Sequence, residues 1–253
     1  MDSLPGQLLL AVIALIANLL SAIAGGGAGL LQLPAIIFLG LPFPVALATH
    51  KVASVALGIG AGLRHYRNRP LDRQACLIVL GAGLPGVILG ANSILLIPAT
   101  IAMTALGVLT IGLGLYSLAS PDLGQVTQTR QIGRRDTLIS MAAVSGFGFL
   151  NGSLTSGTGL FVTLWLIRWH GMDYQRAVAH TLVLVGLFWN STGALTLGLQ
   201  QAIQWHWLPA LLAGSLLGGY LGAHLSILKG NRFVKRLFEI TTIAVGIKLL
   251  LAG

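Results

Sequence analysis

The sequence predicts an all-α polytopic membrane protein built from two inverted-topology repeats, each a glycine-broken helix pair followed by three spanning helices. Three observations carry this. Of 253 residues, 55% are apolar and only 8% charged, against roughly 25% charged in an ordinary soluble domain. Apolar runs long enough to cross about 30 Å of hydrocarbon recur along the whole chain. The second half repeats the glycine and apolar pattern of the first, with Lys and Arg moved to the opposite loops.

The first element is the apolar region 4–39, interrupted inside SAIAGGGAGLLQLPAIIFLG by Gly25, Gly26, Gly27 and Gly29. Each glycine costs an isolated helix about 1 kcal/mol relative to alanine, so the region reads as two helices turning at Gly25–Gly29. Although Ala22-Ile23-Ala24 imitates a cleavage site, no cation precedes Lys51. A signal peptide needs a basic start, and the segment is read as mature. Spans follow at 45–63, 74–97 and 99–119. Region 137–167 is again broken, at Thr155-Ser156-Gly157-Thr158-Gly159, and spans at 177–199, 207–228 and 233–252 complete the chain. In lipid every backbone polar group must be satisfied internally, and runs this long and unpolar are helices rather than barrel strands. The two broken pairs fit either re-entrant hairpins or two thin full spans.

A shift of 130 lays Gly27-Ala28-Gly29-Leu30 on Gly157-Thr158-Gly159-Leu160. A shift of 131 lays Ala46-Leu47-Ala48 on Ala177-Val178-Ala179, and 132 lays Gly86–Ala91 on Gly218–Ala223. Matched anchors in order, drifting by only two residues, mark a duplication. Repeat one is 1–120, a linker covers 121–136 and repeat two is 137–253. The loop RHYRNRPLDR holds Arg64, Arg67, Arg69 and Arg73, whereas its counterpart LGLQQAIQWHW holds no Lys or Arg. Gly40–Pro44 and Ala91–Pro98 lack cations, but their counterparts carry Arg168 and Arg176, then Lys229, Arg232, Lys235 and Arg236. Cytoplasmic loops collect cations, so equivalent loops face opposite sides and the repeats are inverted. With Arg130, Arg134 and Arg135 also cytoplasmic, the expected location is the inner membrane, with both termini outside.

A formal charge of +9 raises nucleic acid as a partner, but the cations sit in short links between apolar runs, with no aromatic-interleaved basic segment. The expected partners are therefore the bilayer and a small solute, not nucleic acid. Cys76 lies alone in an apolar helix and reads as packing. No Asp or Glu falls mid-span, and Glu239 can pair with Lys235 at i,i+4; no metal and no cofactor is expected. What remains favours an anion. Helices restarting after the breaks expose N–H groups and positive dipole ends near the midplane, which makes Gly25, Gly26, Gly27, Gly29, Gly157 and Gly159 candidate substrate-binding positions. Asn151, Ser156 and Thr158 add polar groups that lipid tolerates poorly. Lys51 shares a helical stripe with Ser54, Gly58 and Gly62, a small and polar face suited to the bundle interior rather than to snorkelling. His50 beside it, and His180 with Thr181 in the second half, are candidates for substrate contact or a coupled proton. Gly58-x-x-x-Gly62, Gly86-x-x-x-Gly90 and Gly218-x-x-x-Gly222 read as close-packing sites, and Asn190, Ser191 and Thr192 equally as interhelical glue.

The AGGGAGLLQLP turn, the GLPFPVALATHKVAS segment with its basic RHYRNR loop, and the later SGTGLF and AVAHTLV repeats resemble the TauE/SafE sulfite exporter family over nearly the whole chain. The resemblance implies an inner-membrane carrier for sulfite, sulfonates or related organic acids. Three other classes compete. An intramembrane serine hydrolase would use Ser153 or Ser156 with His180 or His224, but it leaves the inverted duplication unexplained. A metal-cation permease lacks carboxylates to offset the desolvation of its cargo, and a purely structural scaffold gives Lys51 and the polar turns no purpose.

Overall fold

The computed structural model describes residues 3–65, 70–93, 99–128, 133–154 and 157–252. Arg67, Arg69, Arg130, Thr155 and Ser156 lie outside these. The first half runs α1 (Leu4–Ala24), α2 (Ala28–Phe38), α3 (Phe43–His65), α4 (Arg73–Asn92) and α5 (Ala99–Leu118). The second runs α6 (Arg134–Leu154), α7 (Thr158–His170), a continuous rod over Tyr174–Gly198, then α10 (Leu208–Lys229) and α11 (Asn231–Ala252). The rod is α8 (Tyr174–Thr181), a π-helical stretch (Leu182–Trp189) and α9 (Asn190–Gly198). Among the described residues, six helices are long and apolar enough to cross a membrane: α1, α3, α4, α6, the rod, and α10 with its preceding turn. The chain is all-helical, as its composition requires, and the breaks fall where the glycines lie.

Burial is distributed for a lipid solvent. On α1, Leu4, Leu8, Val12 and Ile16 form an exposed stripe at four-residue spacing, while Asn18 and Ser21 are buried. Apolar side chains here gain nothing by facing inward; small and polar ones gain close packing and hydrogen bonds. Asn18 Nδ2 accordingly lies 2.7 Å from the Ala14 carbonyl, 2.9 Å from Gln32 Oε1 on α2 and 2.9 Å from Ser215 Oγ on α10.

Each half packs its first long helix on the other half's fourth. A Cβ on Gly214, Gly218 or Gly222 of α10 would strike the carbonyl oxygen of Ala11, Leu15 or Leu19, respectively, so α1 and α10 run parallel at backbone contact. Gly148 and Gly152 of α6 meet the carbonyls of Gly83 and Val87 on α4 in the same parallel sense. In contrast, α3 is antiparallel to the rod: Gly62 faces Val183, Gly58 meets Gly186 and Leu187, and Lys51 reaches Gly193. The pair α5 and α11 is also antiparallel, with Gly107 against Gly246 and Leu250, and Gly114 against Thr242. The glycine pairs expected to pack do so. Trp189, fully buried in the rod, lies against Gly83 and donates its indole N–H to the Val79 carbonyl at 3.0 Å. The i,i+4 pair of Lys235 and Glu239 forms at 2.5 Å.

Candidate functional site

Gly25 ends α1 with φ 86°, and its N–H and that of Gly26 both bond the Ser21 carbonyl at 2.9 Å. Gly26 and Gly27 continue at φ 132° and 99°. Three successive residues in conformations that a Cβ resists reverse the chain before α2. Gly157, at φ 72°, performs the same service before α7. The two turns touch: a Cβ on Gly26 would stand 2.7 Å from Gly159 Cα, and one on Gly159 would stand 2.9 Å from Gly26 Cα. Thr163 of α7 donates its hydroxyl to the Gly25 carbonyl at 2.6 Å and lies 2.9 Å from Thr181 Oγ1, tying the turn of one half to the other.

Between the turns is a cavity of about 30 Å³, room for about two waters. The starts of both restarted helices form part of its wall, through Ala28, Gly29, Thr158 and Gly159. His50 and Ser54 come from α3, and Thr181, Gly186 and Asn190 from the rod. Three wall residues each hold a buried side-chain atom with no hydrogen-bond partner among the described residues: Ser21 Oγ, His50 Nδ1 and Asn190 Oδ1. An unmet buried polar group costs about 1–3 kcal/mol, so three among the residues of one wall single it out as a candidate site for a polar ligand. The other nitrogen of His50 is held by Ser54 Oγ at 3.1 Å.

Lys51 is fully buried, in the bundle interior. Its ammonium donates to the Asn151 carbonyl at 2.8 Å and to Asn151 Oδ1 at 3.1 Å. Gly193 makes room for its stem, since a Cβ there would stand 2.8 Å from Lys51 Cδ. Asn151 lies in the last turn of α6, where unpaired carbonyls concentrate negative charge, and its Nδ2 donates to Thr158 Oγ1 at 2.9 Å. Asn151 is a wall residue and Lys51 is not. The Lys51 amine therefore stands one residue behind the wall, linked to the start of α7 through the Asn151 amide.

Gly26, Gly27, Gly29, His50, Asn151, Thr158, Gly159 and Thr181 are thus brought together, with Gly25 and Gly157 shaping the turns. His180 is not. Its Nε2 accepts the Asp72 backbone N–H of the α3–α4 connection at 2.7 Å, and its Nδ1 faces the Arg176 carbonyl of its own helix at 2.7 Å, so both ring nitrogens are engaged away from the cavity. Ser153 donates back to the Phe149 carbonyl at 2.9 Å, and His224 accepts from Arg64 Nε at 3.0 Å. These bonds pair Ser153 with a carbonyl, not with the imidazole a hydrolase would need. Ser156 lies outside the described residues. Sequence reasoning does not single out Ser21, and it leaves Asn190 undecided between packing and binding; no local pattern distinguishes a buried hydroxyl that lacks a partner from one that has found it.

The sequence profile of the family described as Sulfite exporter TauE/SafE matches residues 10–249. "Probable membrane transporter protein ORF9" of Sinorhizobium sp is 30% identical over 243 residues, covering 94% of this chain and 90% of that protein. A "Probable membrane transporter protein" of Haemophilus influenzae is 30% identical over 235 residues, 92% of this chain and 90% of its own length. "Probable membrane transporter protein YfcA" of Escherichia coli K12 is 30% identical over 239 residues, 94% and 87% of the two chains. No solved structure matches the chain significantly. With a glycine-turned helical bundle in the membrane and a match that runs almost end to end, the chain belongs to the sulfite exporter TauE/SafE family of membrane transporters.

Proposed function

We propose that the protein is a secondary transporter for small anions, in the class of sulfite, sulfonates or related organic acids, working by alternating access between two inverted repeats. The observation that carries this reading is the cavity between the touching turns, whose wall joins Ser21, His50 and Asn190, each with a buried polar atom unpartnered among the described residues, to two helix starts. Helix N-termini supply about half a positive charge each, and Lys51 supplies a full one behind Asn151. Among the described residues no carboxylate stands in that wall, which favours an anionic cargo over a metal or organic cation.

Inversion is supported by the packing directions. The third elements of the two halves, α3 and the rod, run antiparallel, as do the fifth elements, α5 and α11. A two-fold axis lying in the membrane plane has this effect and an axis along its normal does not. Combined with the loop cations, the reading puts the α3–α4 connection and the linker 121–136 in the cytoplasm and both termini outside an inner membrane. Passage requires Gly26 and Gly159 to part on one side at a time, and His50 is the wall residue suited to carry a coupled proton.

The deciding experiment is uptake by proteoliposomes of a panel of labelled anions, with and without an imposed proton gradient. Saturable uptake of a sulfur oxyanion or sulfonate, accelerated by the gradient, is the expected result. Saturable flux of divalent metals with none of the anions would overturn the reading.

A further inference from the structure

The first turns of α11 carry Arg232, Lys235 and Arg236. Lys235 is committed: it is buried and donates to Glu239 Oε1 and to the Ser117 carbonyl, both at 2.5 Å, so the pair is neutral as a unit. Arg232 and Arg236, one helical turn apart on the exposed face, have no ion-pair partner among the described residues. They border a basin of about 440 Å³ together with Asp122 and Gln125. With the Lys235–Glu239 pair neutral, two arginines against Asp122 leave one net positive charge, the complement of a single phosphodiester.

The basin continues into an apolar trough of about 460 Å³ along Ile240, Ile243, Ala244 and Ile247, sharing Leu118, Arg236 and Glu239 with it. From Arg236 to Ile247 the helix rises about 16 Å at 1.5 Å per residue, close to half of a hydrocarbon core of about 30 Å. A donor-rich basin above an apolar trough one leaflet deep has the outline of a lipid. We propose that this face of α11 binds a phospholipid with an anionic headgroup. Arg232 and Arg236 hold the phosphate, Asp122 accepts from a headgroup hydroxyl, and an acyl chain lies in the trough.

The test uses the full chain purified in a neutral detergent, with retained lipid counted by native mass spectrometry. Phosphatidylglycerol is expected to bind more tightly than phosphatidylcholine, and the Arg232→Gln/Arg236→Gln protein to lose roughly 25-fold of that affinity, about fivefold per cation. Ile243→Trp, which fills the trough without touching charge, should weaken both lipids alike. Glycerol 3-phosphate, the headgroup chemistry without the chain, should fail to compete at millimolar concentration. Equal binding of the two lipids, an unchanged preference in the double variant, or effective competition by glycerol 3-phosphate would each overturn the proposal. Should the double variant fail to fold, Arg236→Gln alone removes one charge from the same basin and must lower the phosphatidylglycerol preference on its own.

Discussion

Three alanine substitutions separate what the turn glycines do by conformation from what they do by contact. Gly40 has φ 105° with nothing within 4 Å of an added Cβ, so Gly40→Ala incurs only the left-handed penalty, about 1–2 kcal/mol. It should lower the melting temperature and leave transport per inserted molecule unchanged. Gly159 lies in α7 with no positive φ, but its Cβ would stand 2.9 Å from Gly26 Cα. That is about half an ångström short of ordinary contact, and both atoms belong to backbone, so the turns themselves must separate. Gly26→Ala combines both effects, at φ 132° and 2.7 Å. Displacing a reactive geometry by up to about 1 Å costs on the order of 100-fold in rate, and a loss of roughly 10- to 100-fold in transport is expected for Gly159→Ala, more for Gly26→Ala. The assay is initial uptake of labelled sulfite into proteoliposomes, normalised to inserted protein, with thermal unfolding measured in parallel. Parent-level transport by Gly159→Ala would refute the reasoning, because the contact between the turns would then have no part in the moving step.

Lys51→Ala removes two hydrogen bonds to Asn151, at its carbonyl and its Oδ1; anion affinity should fall far more than in Thr158→Ala, while Lys51→Arg keeps part of it, and parent-like affinity in Lys51→Ala would remove the lysine from the site. Cysteine introduced at Gln201 should be labelled by impermeant reagents only from outside and one at Pro70 only from the cytoplasm; the opposite pattern would end the inverted orientation. Saturable nickel or zinc uptake by the purified protein is not expected, and observing it would contradict an anion-selective cavity.

Much of this was legible because lipid makes local rules strict. The breaks at Gly25–Gly29 and Gly157–Gly159 were readable, since repeated glycine is costly in a helix and is kept for a reason. The stripe Lys51, Ser54, Gly58, Gly62 could be read as interior, since a lysine aligned with small residues points at a neighbour rather than at lipid. The π-helical stretch was not readable: LVLVGLFW is uniformly apolar and has the pattern of any buried helix. Its widened turns include Gly186 and Leu187, which pack against Gly58 of α3, a long-range contact that no local propensity announces. His180 misled for a related reason. Its position one residue before Thr181 suggests the cavity, but its nitrogens are claimed by Arg176 and by Asp72, the latter 108 residues away, and no spacing rule anticipates a partner so remote.

The pairing of α1 with α10 also sets a schedule for biosynthesis. Asn18 and Ser215 are separated by 197 residues, and at roughly 5–20 residues per second the ribosome needs about 10–40 s to deliver the second after the first. Through that interval the amide of Asn18 sits in a newly inserted helix whose groove partner does not yet exist. Gln32, only 14 residues downstream, is the partner that can close a hydrogen bond to the amide within the first hairpin before α10 is made. A Gln32→Leu chain should consequently show its defect during insertion, as early degradation of nascent protein, more than in the melting behaviour of molecules that complete assembly.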